Sequence, residues 1–151
     1  MRIYILALVL LILQSSIVIK NLSVMNFTPD FLVILIILYT LNHGLKDSLK
    51  FSIFVGILQD MLNPVPTAFN LISKLLLTLA TFSVKNRFFL GDIFIRSILI
   101  ILLSVMDITV KILLTFLKTG IFYINVSFFA YVFLNFLIFY IVQIINENRQ
   151  I

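Results

Sequence analysis

Six apolar stretches, nearly free of charge, run the length of this 151-residue chain, and basic residues gather in every second gap between them. The stretches are 3–19, 27–41, 49–62, 68–84, 93–117 and 126–145. A helix rises about 1.5 Å per residue and a bilayer core is roughly 30 Å thick, so about 20 residues span it. Backbone N–H and C=O groups facing lipid must be paired within the segment, so each stretch is expected to be a helix. The expected fold is an all-α integral membrane protein of six transmembrane helices, forming a single transmembrane domain over residues 1–151.

Composition supports the class. Hydrophobic residues make up 62% of the chain and charged residues 11%, whereas a soluble domain is about half apolar and a quarter charged. Arg2 before an apolar run resembles a signal peptide, but no small-residue cleavage site follows, and an uncleaved first helix is expected. With no cysteine, disulfides, thiol catalysis and cysteine metal sites are excluded. The net charge of +5 is spread over the gaps rather than gathered in a patch. That pattern points to orientation and anionic lipid, not to nucleic acid.

The gaps fix an expected topology. Arg2, Lys46, Lys50, Lys85, Arg87, Arg96 and Arg149 fall on one side of a six-span bundle, and Lys20 and Lys118 on the other. Positive charge is retained in the cytoplasm, so both termini are expected inside. The second and third stretches reach only about 21–23 Å. A re-entrant hairpin would bury Lys46, Asp47 and Lys50 at roughly 2.5–3.5 kcal/mol each, so short full spans are expected instead. Tyr4, Tyr39, Tyr123 and Tyr140 are expected to anchor the interfaces, and the 16 Phe to face lipid or fill packing.

Charges inside the bilayer are costly unless paired, and they mark functional candidates. Asp60, Lys74, Asp107 and Lys111 all fall in the outer half of the expected bundle, and two acids balance two bases. Asp107 and Lys111 stand at i and i+4, acid first, the favourable order on a helix. Three roles are open to this cluster: an internal packing network, a docking site for a partner's helix or strand, or a substrate or proton path. A proton relay would need carboxyls or histidines in series, and the single histidine, His43, lies in a cytoplasmic gap. Pro64 and Pro66 make the turn after the third stretch stiff and non-helical. Asn70, Ser73 and Asn135 offer hydrogen bonds between helices.

Thr28-Pro29-Asp30-Phe31, opening the second helix, resembles the same place in the rod-shape-determining MreD family. Gly56-Ile57-Leu58-Gln59-Asp60-Met61-Leu62 is similar to that family's glycine-to-aspartate stretch, and Leu102-Leu103-Ser104-Val105-Met106-Asp107 to its acid-bearing fifth helix. The resemblance covers roughly 28–111. Two departures stand out: Thr67-Ala68 where the family often has Leu-Gly, and Lys74 at a position more usually small or apolar.

The resemblance implies a non-enzymatic subunit of the bacterial cell-elongation complex in the cytoplasmic (inner) membrane, with no cofactor or metal. It implies partnership with an MreC-type single-span protein and, directly or indirectly, with the MreB filament and the peptidoglycan synthases. It also implies a fold like that of the substrate-binding components of energy-coupling-factor transporters. The cluster with the Pro64–Pro66 turn would then receive MreC. Pro29 and Asp30 would open helix two, and Lys46, Lys50, Lys85 and Arg87 would meet lipid headgroups or MreB. An alternative is a vitamin-transporter binding subunit, which would need a small-residue face on helix one, where Ala7 is the single alanine. An intramembrane enzyme would need a nucleophile and base or metal ligands; one histidine and no cysteine supply neither.

Overall fold

Each apolar stretch forms one helix. The computed structural model describes residues 2–15, 30–62, 68–85, 93–120 and 127–148, and these hold six α-helices and no strand. They are α1 (Arg2–Ser15), α2 (Phe31–Asn42), α3 (Leu45–Met61), α4 (Phe69–Lys85), α5 (Ile93–Thr119) and α6 (Ser127–Asn148). Two bounds differ in instructive ways from those expected. Helix α2 starts at Phe31, because Asp30 accepts the N–H of Leu32 and so caps the helix from outside it. Helix α3 starts a full turn earlier than expected, after an extended Gly44, with Asp47 in its first turn. A carboxylate there is favoured by the helix dipole, and Lys46 and Lys50 ride on the helix rather than in a loop.

The central element is also the shortest. At 12 residues, about 18 Å at helical rise, α2 touches all five other helices. Leu32, Val33, Ile34, Ile36, Ile37 and Thr40 are buried on it. Around it run α1, α3, α4, α5 and α6, each packed on the next, while α1 and α6 make no contact among the described residues. Tyr4 of α1 packs edge-on against Phe51 and Phe54 of α3, while Tyr39 of α2 stacks on His43 and tilts against Phe51. Both tyrosines are partly buried and pack within the bundle; Tyr140 is half exposed, and Tyr123 lies outside the described residues.

The closest pairing is α3 against α4. Ser48, Ser52 and Gly56 recur every fourth residue and are all buried, so one edge of α3 carries almost no side-chain bulk. Small residues at this spacing let helices approach closely. At Gly56 a Cβ would stand 2.6 Å from the Leu71 Cα, so only glycine fits. Lower down, the Ser52 and Thr78 hydroxyls hydrogen-bond across the same interface.

Buried polar groups and exposed apolar ones occur together. Among the described residues, eleven polar or charged ones are buried, while large apolar side chains are exposed on α1, α3, α4, α5 and α6. Phe94–Thr119 is long and apolar enough to cross a membrane, and only 33% of its apolar window is buried within the protein. A core helix of a soluble protein would be mostly covered.

Candidate functional site

The end of the bundle where α2, α4 and α6 begin and α3 and α5 end holds a closed ring of four charges. Lys74 of α4 bonds Asp30 at 2.7 Å and Asp107 of α5 at 3.3 Å. Lys111, one turn beyond Asp107, bonds Asp107 at 2.9 Å and Asp30 at 3.2 Å. Each lysine therefore bridges both acids. The ring has two short pairs, Lys74–Asp30 and Lys111–Asp107, joined by two longer links. The side chains of Lys74, Asp30 and Asp107 are at most 4% exposed, while that of Lys111 is 24% exposed.

Neutral groups complete the shell. The Tyr131 hydroxyl of α6 donates to Asp107 at 2.8 Å, and the Lys111 ammonium lies 5.8 Å from the centre of the Tyr131 ring. Gln59 Nε2 of α3 donates to Asp30 at 3.1 Å. The Asp30 backbone N–H donates to Asn135 Oδ1 of α6 at 3.1 Å, and Asn135 Nδ2 reaches Ser104 of α5 at 3.5 Å. Five helices thus meet through one hydrogen-bonded network; among the described residues α1 takes no part. Two acids and two lysines cancel, which is what burial requires of ions whose desolvation costs several kcal/mol each.

Of the four clustered residues expected from the sequence, three meet: Lys74, Asp107 and Lys111. Asp60 does not. Its carboxylate accepts the Asn70 and Leu71 backbone N–H groups at 3.1 and 2.9 Å and the Asn70 side chain at 3.0 Å. The first turn of α4 exposes N–H groups with no helical partner, and a carboxylate one hairpin turn away satisfies them. The fourth corner of the ring is Asp30, which the sequence marks as the opening of helix two. Asn70 and Asn135 do bond across helices, whereas Ser73 bonds the Asn70 carbonyl of its own helix.

Lys85 is also engaged within the fold. Its ammonium donates to the Thr40 and His43 carbonyls at 3.3 and 3.0 Å, capping the C-terminal end of α2. Lys46 and Lys50 are exposed. Pro29, Pro64, Pro66 and Arg87 lie outside the described residues. Sequence reasoning missed Tyr131 and Gln59. The available signal for Tyr131 was a phenol one turn into an apolar helix, where its hydroxyl must find an acceptor.

Both oxygens of each acid accept hydrogen bonds. The arrangement ties α2, α3, α4, α5 and α6 together through one network. Comparison with protein-family models, curated proteins and solved structures gives no match, so the geometry carries the functional reading.

Proposed function

We propose that this chain is a multi-pass protein of the bacterial inner membrane, with six spans and both termini cytoplasmic, and that it serves as an MreD-type, non-enzymatic subunit of the cell-elongation complex. The observation that carries the reading is the neutral ring of two acids and two lysines, both oxygens of each acid hydrogen-bonded, inside a bundle whose exterior is apolar. Such a ring holds α2, α4, α5 and α6 in one arrangement at the outer face, where an MreC-type single-span partner would be received. Exposed Lys46 and Lys50 would contact anionic headgroups or MreB on the inner side. The vitamin-transporter alternative is weakened by α1: Ala7 is buried, and the outward face carries Ile5, Leu6, Leu8, Val9, Ile12 and Leu13.

Co-purification from native membranes with the MreC-type protein tests the proposal. The unaltered chain is expected to recover it, and Asp107→Leu to lose most of the complex and to widen the cells. Asp107→Asn, which removes the charge but keeps hydrogen-bonding capacity toward Tyr131, is expected to retain more. No MreC-type protein with the unaltered chain, or full recovery and normal width with Asp107→Leu, would contradict it.

A further inference from the structure

We infer that the charge ring is a latch on which the bundle parts along one plane, with α1, α2, α3 and α4 on one side and the α5–α6 pair on the other. The inference goes beyond the partner-binding reading and stands whichever partner the bundle serves.

Charge division argues first. Asp107 and Lys111 are both on α5, one turn apart and linked at 2.9 Å. Any movement of α5 carries that pair along intact. Asp30, which starts α2, and Lys74 of α4 form the shortest link of the ring at 2.7 Å. The ionic links between the two pairs are the longer ones, Lys74–Asp107 at 3.3 Å and Lys111–Asp30 at 3.2 Å. Parting across those two links leaves each side with one acid, one base and no net charge. Withdrawing α2 or α4 alone would instead carry off a lone carboxylate or a lone ammonium, and an unpaired buried charge is strongly disfavoured.

The neutral partners divide in the same way. Gln59 of α3 donates to Asp30 on one side of the plane. On the other, Tyr131 of α6 donates to Asp107, and Asn135 of α6 reaches Ser104 of α5. If α6 moved without α5, both Tyr131 and Asn135 would lose these partners in an apolar surrounding, which is costly for a polar group. Moving together, the two helices keep them. The Asp30 backbone N–H donating to Asn135 at 3.1 Å crosses the plane and is given up.

Packing follows the division. Among the described residues α6 touches only α5 and α2, and α5 touches only α6, α4 and α2. The tightest seam, α3 against α4, lies wholly on one side, with Gly56 against the Leu71 backbone and Ser52 hydrogen-bonded to Thr78. Away from the ring, Leu77 of α4 and Ile100 and Leu103 of α5 belong to one apolar core cluster. Apolar contacts re-form after a small displacement without breaking a directional bond, so a rigid-body shift of the α5–α6 pair is the motion this layout permits.

Two kinds of charge-neutral double variant separate a latch from a uniform brace. Lys74→Met with Asp107→Asn leaves Asp30 and Lys111 linked across the plane. Asp30→Asn with Lys74→Met, and Asp107→Asn with Lys111→Met, each remove one acid and one base as well, but leave no ionic link across it. Spin labels on paired cysteines read the outcome by double electron–electron resonance on the full chain in lipid nanodiscs. Labels at 79 on α4 and 133 on α6 span the plane, while 57 with 79 and 102 with 133 each stay within one side; Ile57, Leu79, Leu102 and Phe133 are all exposed. The unaltered protein and the first double are expected to show one 79–133 distance. The other two doubles should add a second, longer 79–133 population with 57–79 and 102–133 unchanged. An unchanged 79–133 distance in either of them, equal lengthening in the first double, or a longer 57–79 or 102–133 distance accompanying the change would overturn the latch. Should one within-side double lose all three defined distances, and with them the fold, the other decides; loss in both overturns it.

Discussion

Lys74 illustrates how much a single ionised group constrains this fold. Fully buried, it is held by two carboxylates that are themselves buried, so removing it leaves Asp30 and Asp107 facing each other with one lysine between them. Lys74→Met is expected to destabilise the bundle by about 3–5 kcal/mol, the usual cost of breaking a buried pair from one side. The double change Lys74→Met with Asp107→Asn restores neutrality and should recover much of that loss, read as the unfolding temperature in detergent. Equal melting of the single and double variants would contradict the charge-balance argument. Three corners of the ring were legible in the sequence because they are ionisable residues deep in apolar stretches, and because Asp107 and Lys111 sit one turn apart. The identity of the second acid was not legible. Asp30 and Asp60 both stand at helix ends and both accept unpaired N–H groups, but α4 takes both oxygens of Asp60, whereas Asp30 gives one oxygen to Leu32 and Gln59 and the other to the lysines. Asp60 faces the bare first turn of α4, a tertiary neighbour that spacing along the chain does not reveal.

At the scale of elements, the α3–α4 hairpin is held at two levels. Where α3 ends, Asp60 caps α4, and Asp60→Ala is expected to cost about 0.5–2 kcal/mol, the range for losing such a cap, measurable as lowered thermal stability with the fold retained. Deeper in, Gly56→Leu forces a side chain into the Leu71 backbone. It should cost more than Gly56→Ala, which itself requires the two helices to separate by several tenths of an ångström. Unchanged melting of Gly56→Leu would show that the hairpin does not pack as described. The six apolar stretches were readable because hydropathy survives without tertiary context. The tight α3–α4 seam was not, because Ser48, Ser52 and Gly56 lower the hydropathy of their segment and mark an interface only once α4 is seen against them. Lys85 was obscured in the same way. A lysine at a helix end looks like a loop charge until the α2 carbonyls it caps come within reach.

Over the whole molecule, buried polar groups and an apolar exterior form one pattern, and the proposed embedding explains both. The bundle is uneven in height, since α2 is about 18 Å long and α5 about 40 Å, so local thinning of the bilayer around the shorter helices is expected. The chain contains no cysteine, which makes single-cysteine labelling with a membrane-impermeant maleimide the most direct measurement of the arrangement. Lys46→Cys should label only from the cytoplasmic side and Lys118→Cys only from the outer side. Ser104→Cys, fully buried beside the ring, should stay unlabelled until the protein is denatured. Labelling of positions 46 and 118 from the same side, or ready labelling of position 104 in the folded protein, would contradict a sealed charge ring in a membrane-embedded bundle.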